Sequence, residues 1–62
     1  MTFAELRKEK RLTQVELAKK LGLAQATIAM WETGGAVPTI ATAKRVATVL
    51  GCELCEVVNC FV

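Results

Sequence analysis

Residues 13–31, TQVELAKKLGLAQATIAMW, constrain what this chain can fold into more than any other stretch. Thr13 and Glu16 stand at capping-box spacing, at which each side chain satisfies a free N–H at the entrance of a helix. Gln14, Leu17, Ala18 and Leu21 follow at i, i+3, i+4, i+7, so the three apolar residues form one buried stripe. Gly22 ends that helix, because glycine alone takes the left-handed exit conformation without penalty. A second helical pattern begins at Ala24. At about 100° per residue, Ala24, Ile28 and Trp31 share one arc, and Gln25, Ala26, Ala29, Met30 and Thr33 share another. One arc is free to pack on the first helix while the other faces outward. Two short helices across a tight turn, each apolar on one side, predict an all-α fold.

The flanks extend the pattern. Thr2 and Glu5 form a second capping box, which predicts a helix from Phe3 to about Arg11. Phe3, Leu6, Arg7 and Lys10 share its inner face, so Arg7 borders an apolar stripe. Leu12 turns the chain into the central pair. Leu17, Leu21, Leu23 and Ile28 are expected in the core, and so is Trp31. Ala18 is small enough to let the central helices approach closely. Gly34 and Gly35 mark a loop, and Thr39 after Pro38 caps a helix from Ile40 to Leu50. Ile40, Ala43, Val46, Ala47 and Leu50 give that helix its apolar face, and Gly51 ends it. Leu54, Val57, Val58 and Phe61 fall at helical spacing. A final helix is the preferred reading, although the β-branched content leaves a strand open.

With 62 residues, the chain is expected to be one domain, residues 1–62, that leans on close helix packing or on oligomerisation. A hydrophobic fraction of 53% suits a folded domain. No apolar run nears the ~20 residues needed to span a bilayer, and no signal-peptide pattern is present, so a cytoplasmic location is expected. The net charge of +2 is unevenly spread: residues 1–20 hold six Lys and Arg against three Glu, residues 21–62 two against three. A basic end is compatible with phosphate contact, and equally with an ordinary solvated helix. There is no histidine, no paired acid in a pocket and no glycine-rich phosphate loop, so no enzyme, no cofactor and no metal are expected. Cys52, Cys55 and Cys60 lack the fourth ligand of a structural zinc site. They read as small apolar residues of the core or an interface, with redox sensing as the alternative.

Leu6-Arg7, Leu12-Thr13-Gln14, Glu16-Leu17-Ala18, Leu21-Gly22, Thr27-Ile28, Trp31-Glu32, Gly34, Pro38, Ala47 and Leu50-Gly51 together resemble the phage repressor and Cro (Xre) helix-turn-helix family. The resemblance runs from about Leu6 to Leu54. It implies a compact five-helix, lambda-repressor-like domain with a central helix-turn-helix, whose second helix, residues 25–32, enters the major groove of DNA. It also implies a partly buried ion pair between Arg7 and Glu32; by itself, Arg7 could equally extend its charge to water.

The family's DNA contacts are of two kinds. For phosphates, the resemblance and the helix entrance point to Thr13 and Gln14, with Thr33 standing where the family usually has asparagine. The loop after Gly34 often carries a cation in the family. Here it reads Gly35-Ala36-Val37, which shifts the expectation toward Lys8, Lys10, Lys19 or Lys20 and toward a shallow salt dependence. For base edges, Gln25 is the principal reader, since glutamine pairs bidentately with adenine N6 and N7. Ala26, Thr27, Ala29 and Met30 offer methyl groups and one hydroxyl. Few polar readers imply modest direct readout and more weight on DNA shape. Ala24 stands where the family commonly caps the helix with Ser or Thr.

Residues 54–62 carry more apolar surface than a small core needs, and family members commonly bind two-fold operators as dimers. A homodimer through that segment on a two-fold operator is therefore expected. The functional expectation is a sequence-specific transcriptional regulator acting as a repressor. The alternative is a protein-interaction module on the same fold, such as an antitoxin-like or regulatory subunit.

Overall fold

Local capping chemistry sets where the helices begin. In the computed structural model, which describes all of residues 1–62, α1 spans Phe3–Glu9, α2 Gln14–Leu21, α3 Gln25–Thr33, α4 Ile40–Leu50 and α5 Leu54–Asn59. The Thr2, Thr13 and Thr39 hydroxyls accept from the N–H groups of Glu5, Glu16 and Thr42 at 3.2, 3.1 and 3.2 Å. Glu5 and Glu16 accept in return from the Thr2 and Thr13 N–H groups at 2.8 and 2.9 Å. These charge-assisted bonds to backbone hold both carboxyls below their ordinary value. At the start of α5, Glu56 accepts from the Glu53 N–H at 2.9 Å, and the last segment is a helix rather than a strand.

Between α2 and α3, Gly22 takes φ 70°, and the Leu23 N–H closes the turn on the Ala18 carbonyl at 2.9 Å. The Arg45 guanidinium on α4 donates to the Leu21 carbonyl. A cation thus satisfies a free acceptor at the negative end of α2 and ties α4 to the central pair.

All five helices feed one core: Phe3 and Leu6, Leu17, Ala18 and Leu21, Ile28 and Trp31, Ala43, Val46, Ala47 and Leu50, and Val57. Phe3 joins the two ends of the chain. Its ring meets Trp31 edge-on at 5.7 Å and lies tilted against Phe61 at 5.4 Å between centroids. Trp31 is a core anchor.

Five expectations need correction. The first helix ends at Glu9, because Arg11 adopts φ 62° and reverses the chain while the Leu12 N–H returns to the Arg7 carbonyl. Ala24 is the exposed cap of α3, outside its buried arc. Ile40 is 59% exposed: it is the first residue of α4, and the buried face begins one turn later at Ala43. The last helix stops at Asn59, with Leu54, Val58 and Phe61 half-buried. Leu23 is also half-buried, packed on the core's edge.

Arg11 invites a test. A left-handed residue with a Cβ costs roughly 1–2 kcal/mol, against roughly 0.5–1 kcal/mol of extra chain entropy for glycine. Arg11→Gly is therefore expected to stabilise the domain by about 0.5–1 kcal/mol, read as a higher urea midpoint at unchanged slope.

Candidate nucleic-acid interface

α3 buries one side and leaves the other bare. Ile28 and Trp31 face the core. Gln25, Ala26 and Met30 are exposed, and Thr27 and Ala29 are half-buried at the margins of the same outer strip. No side chain caps α3, because Ala24 has no acceptor to offer. Its entrance therefore leaves backbone donors without a side-chain acceptor. Thr33 is exposed at the far end, its hydroxyl donating back to the Met30 carbonyl at 3.4 Å.

Beside this strip a chain of polar contacts links three helices. The Arg7 Nε donates to Glu32 Oε2 at 2.6 Å, and its Nη2 donates to Oε1 at 3.2 Å. Arg7 Nη1 donates to the Leu12 carbonyl at 2.7 Å. Both side chains are about nine-tenths covered, at 8% and 10% exposure. Burial alone would push the Glu32 carboxyl up; hydrogen bonds from Arg7 and Gln14 and the Arg7 charge outweigh it and hold the group below its ordinary 4.5.

The chain continues outward. Gln14 donates its Nε2 to Glu32 Oε1 at 3.0 Å, and Gln25 donates its Nε2 to Gln14 Oε1 at 3.3 Å. The side chains of Arg7, Gln14, Gln25 and Glu32 are thus brought together. Thr13 and Lys8 are exposed; Thr13 caps α2 beside Gln14, and Lys8 is near enough to Glu32 to favour its ionised form. Lys10 is different: half-buried, with its charge felt by Cys52 in the α4–α5 turn.

Sequence reasoning missed three side-chain contacts. It assigned Gln14 to phosphate alone, whereas the folded chain also engages that amide with Glu32 and Gln25. It also missed the hold of Arg45 on Leu21. None carries a local signal, because each joins residues more than ten positions apart.

A helix-turn-helix family profile matches residues 3–57. The chain belongs to the Cro/C1-type helix-turn-helix family. It is 44% identical over 52 residues to a protein of Methanothermobacter thermautotrophicus named an HTH-type transcriptional regulator, covering 84% of this chain and 75% of that one. It is 39% identical over 57 residues to the HTH-type transcriptional regulator y4dJ of Sinorhizobium fredii, covering 92% and 74%. No solved structure gives a significant match. Within this helix-turn-helix chain, α2 and α3 are the motif, and the bare strip of α3 is its outward face.

The remaining chemistry is sparse. No three ligand-type side chains converge to hold a metal ion, and no helix is long and apolar enough to cross a membrane. Cys52 and Cys60 are half-buried against the core, and burial pushes both thiols up. Cys55 is exposed on α5, so of its two expected places, core or interface, the core is excluded. An apolar hollow lies between the α3–α4 loop and the tail, lined by Val37, Pro38, Ile40, Val58, Phe61 and Val62 among others.

Proposed function

We propose that this chain is a sequence-specific, double-stranded DNA-binding transcriptional regulator, a repressor that lays α3 in the major groove of its operator. One observation carries the reading: in a chain of this family, the α3 face bearing Gln25, Ala26 and Met30 is left uncovered by every other helix. Gln25 and the methyl-bearing Ala26, Thr27, Ala29 and Met30 face the base edges. Thr13, Thr33 and Lys8 hold phosphates, as does Gln14 through its backbone N–H and the second hydrogen of its Nε2, with Lys10 at the margin. Occupancy of the operator excludes polymerase.

The hollow at the tail supports a homodimer through residues 54–62. Val37, Ile40 and Val62 are apolar and more than half exposed, and no charged side chain lines the hollow. A two-fold pairing would cover it and set two α3 helices on half-sites about one helical turn apart. Sedimentation at tens of micromolar, with and without operator, should show twice the monomer mass; monomer under both conditions rules the pairing out.

Selection from random duplexes tests the whole reading. One recurrent motif is expected from the wild type. Gln25→Ala is expected to relax preference at a single base pair by about 1–3 kcal/mol and leave the others in place. A profile unchanged at every position removes Gln25 as a reader. The same hollow also favours a second reading, a protein-interaction module with DNA binding secondary. Absence of salt-dependent retention on random duplex DNA would favour that reading over the first.

A further inference from the structure

We infer that Glu32 is a specificity-positioning residue: through two amides it fixes which way Gln25 faces, and so restricts that side chain to adenine over guanine. The inference rests on the reading of α3 as the groove helix.

An ionised carboxylate accepts hydrogen bonds and donates none. Glu32 Oε1 therefore selects the NH2 end of the Gln14 amide, which it meets at 3.0 Å. Arg7 keeps the carboxylate ionised and in place through its two contacts at 2.6 and 3.2 Å. With its nitrogen committed, Gln14 turns its oxygen toward Gln25. Gln25 answers with an N–H at 3.3 Å.

That bond consumes one of the two N–H donors on Gln25. What remains for the groove is one N–H and one carbonyl oxygen, side by side. Adenine presents an acceptor at N7 and a donor at N6, which this pair matches. Guanine presents two acceptors, N7 and O6, which this pair does not satisfy. Reversing the Gln25 amide would set its oxygen against the Gln14 oxygen for as long as Glu32 holds Gln14. An acid on the covered side of α3 thus sets the hydrogen-bond polarity of the exposed one.

The test uses duplexes that differ only at the base pair where Gln25→Ala alters the binding profile. Wild type is expected to favour adenine over guanine there by roughly tenfold or more. Arg7→Met/Glu32→Leu, which removes the acceptor without stranding a charge, is expected to bring that ratio to within about twofold, with preferences elsewhere kept. Gln14→Leu, which spares the ion pair, should narrow the ratio likewise while weakening all duplexes. Arg7→Lys keeps a cation beside Glu32 and so spares the ionised acceptor, and the full ratio should persist even as the melting temperature falls. A ratio of affinities does not depend on the fraction of protein folded, so a merely structural role would leave it unmoved. Full preference in both Arg7→Met/Glu32→Leu and Gln14→Leu overturns the inference, as does its loss in Arg7→Lys. A Gln25→Ala profile identical to wild type instead overturns the reading of α3, and the inference with it.

Discussion

Glu32→Leu is expected to destabilise this domain by about 3–5 kcal/mol, because it strands the Arg7 guanidinium in a covered site. A chain of this length has roughly 3–9 kcal/mol in all, so the variant should be partly unfolded at room temperature. Arg7→Met should cost less. Glu32, left without its partner, can take up a proton and become neutral, whereas arginine cannot lose one in the accessible pH range. Removing both residues together should cost less than Glu32→Leu alone, since no charge is stranded. Urea unfolding of the three variants checks the order; a double variant that loses the sum of the two singles would contradict it. The same pair sets an acid limit. Glu32 is held below its ordinary 4.5 in the folded chain, so its contribution is complete above that pH. It is lost as pH falls through the lower folded value. The melting temperature of wild type should therefore drop more steeply below about pH 4.5 than that of Arg7→Met/Glu32→Leu.

Phe3→Ala is expected to cost about 3–5 kcal/mol as well, by a different route. Phe3 is 2% exposed and stands between Trp31 of α3 and Phe61 of the tail. Truncation opens a cavity and removes two ring contacts at once. The consequence reaches beyond stability. Phe61 also lines the apolar hollow, so losing its support should loosen the proposed dimer surface. At a temperature where the variant is still folded, weaker self-association than wild type is expected in sedimentation. A variant that unfolds earlier but associates as tightly would separate the two roles of Phe61.

Much of the fold was legible because its determinants are local. Thr2 with Glu5, and Thr13 with Glu16, announce two helix starts by spacing alone, and Gly22 announces the turn between the central helices. Leu17, Ala18 and Leu21 repeat at helical period, and so do Ala43, Val46, Ala47 and Leu50; all are buried. Ile40 and Ala24 went astray for one reason: periodicity tells which side of a helix is apolar, not how far the neighbouring elements extend over it. Arg11 was misplaced because its left-handed conformation is imposed by the turn into Leu12, and arginine is not a residue type that signals it. The outward face of α3 was legible as an arc. The amide relay behind it was not, because Gln14 of α2 meets Gln25 and Glu32 of α3 only after the two helices have packed.

The most direct measurement is amide chemical-shift mapping of the protein with a duplex selected from a random pool. The account predicts that the largest changes fall on Thr13 and Gln14, on Gln25 through Met30, and on Thr33, with residues 37–40 and 58–62 altered only as far as dimerisation alone alters them. Changes confined to the apolar hollow, with the exposed strip of α3 unmoved, would contradict it.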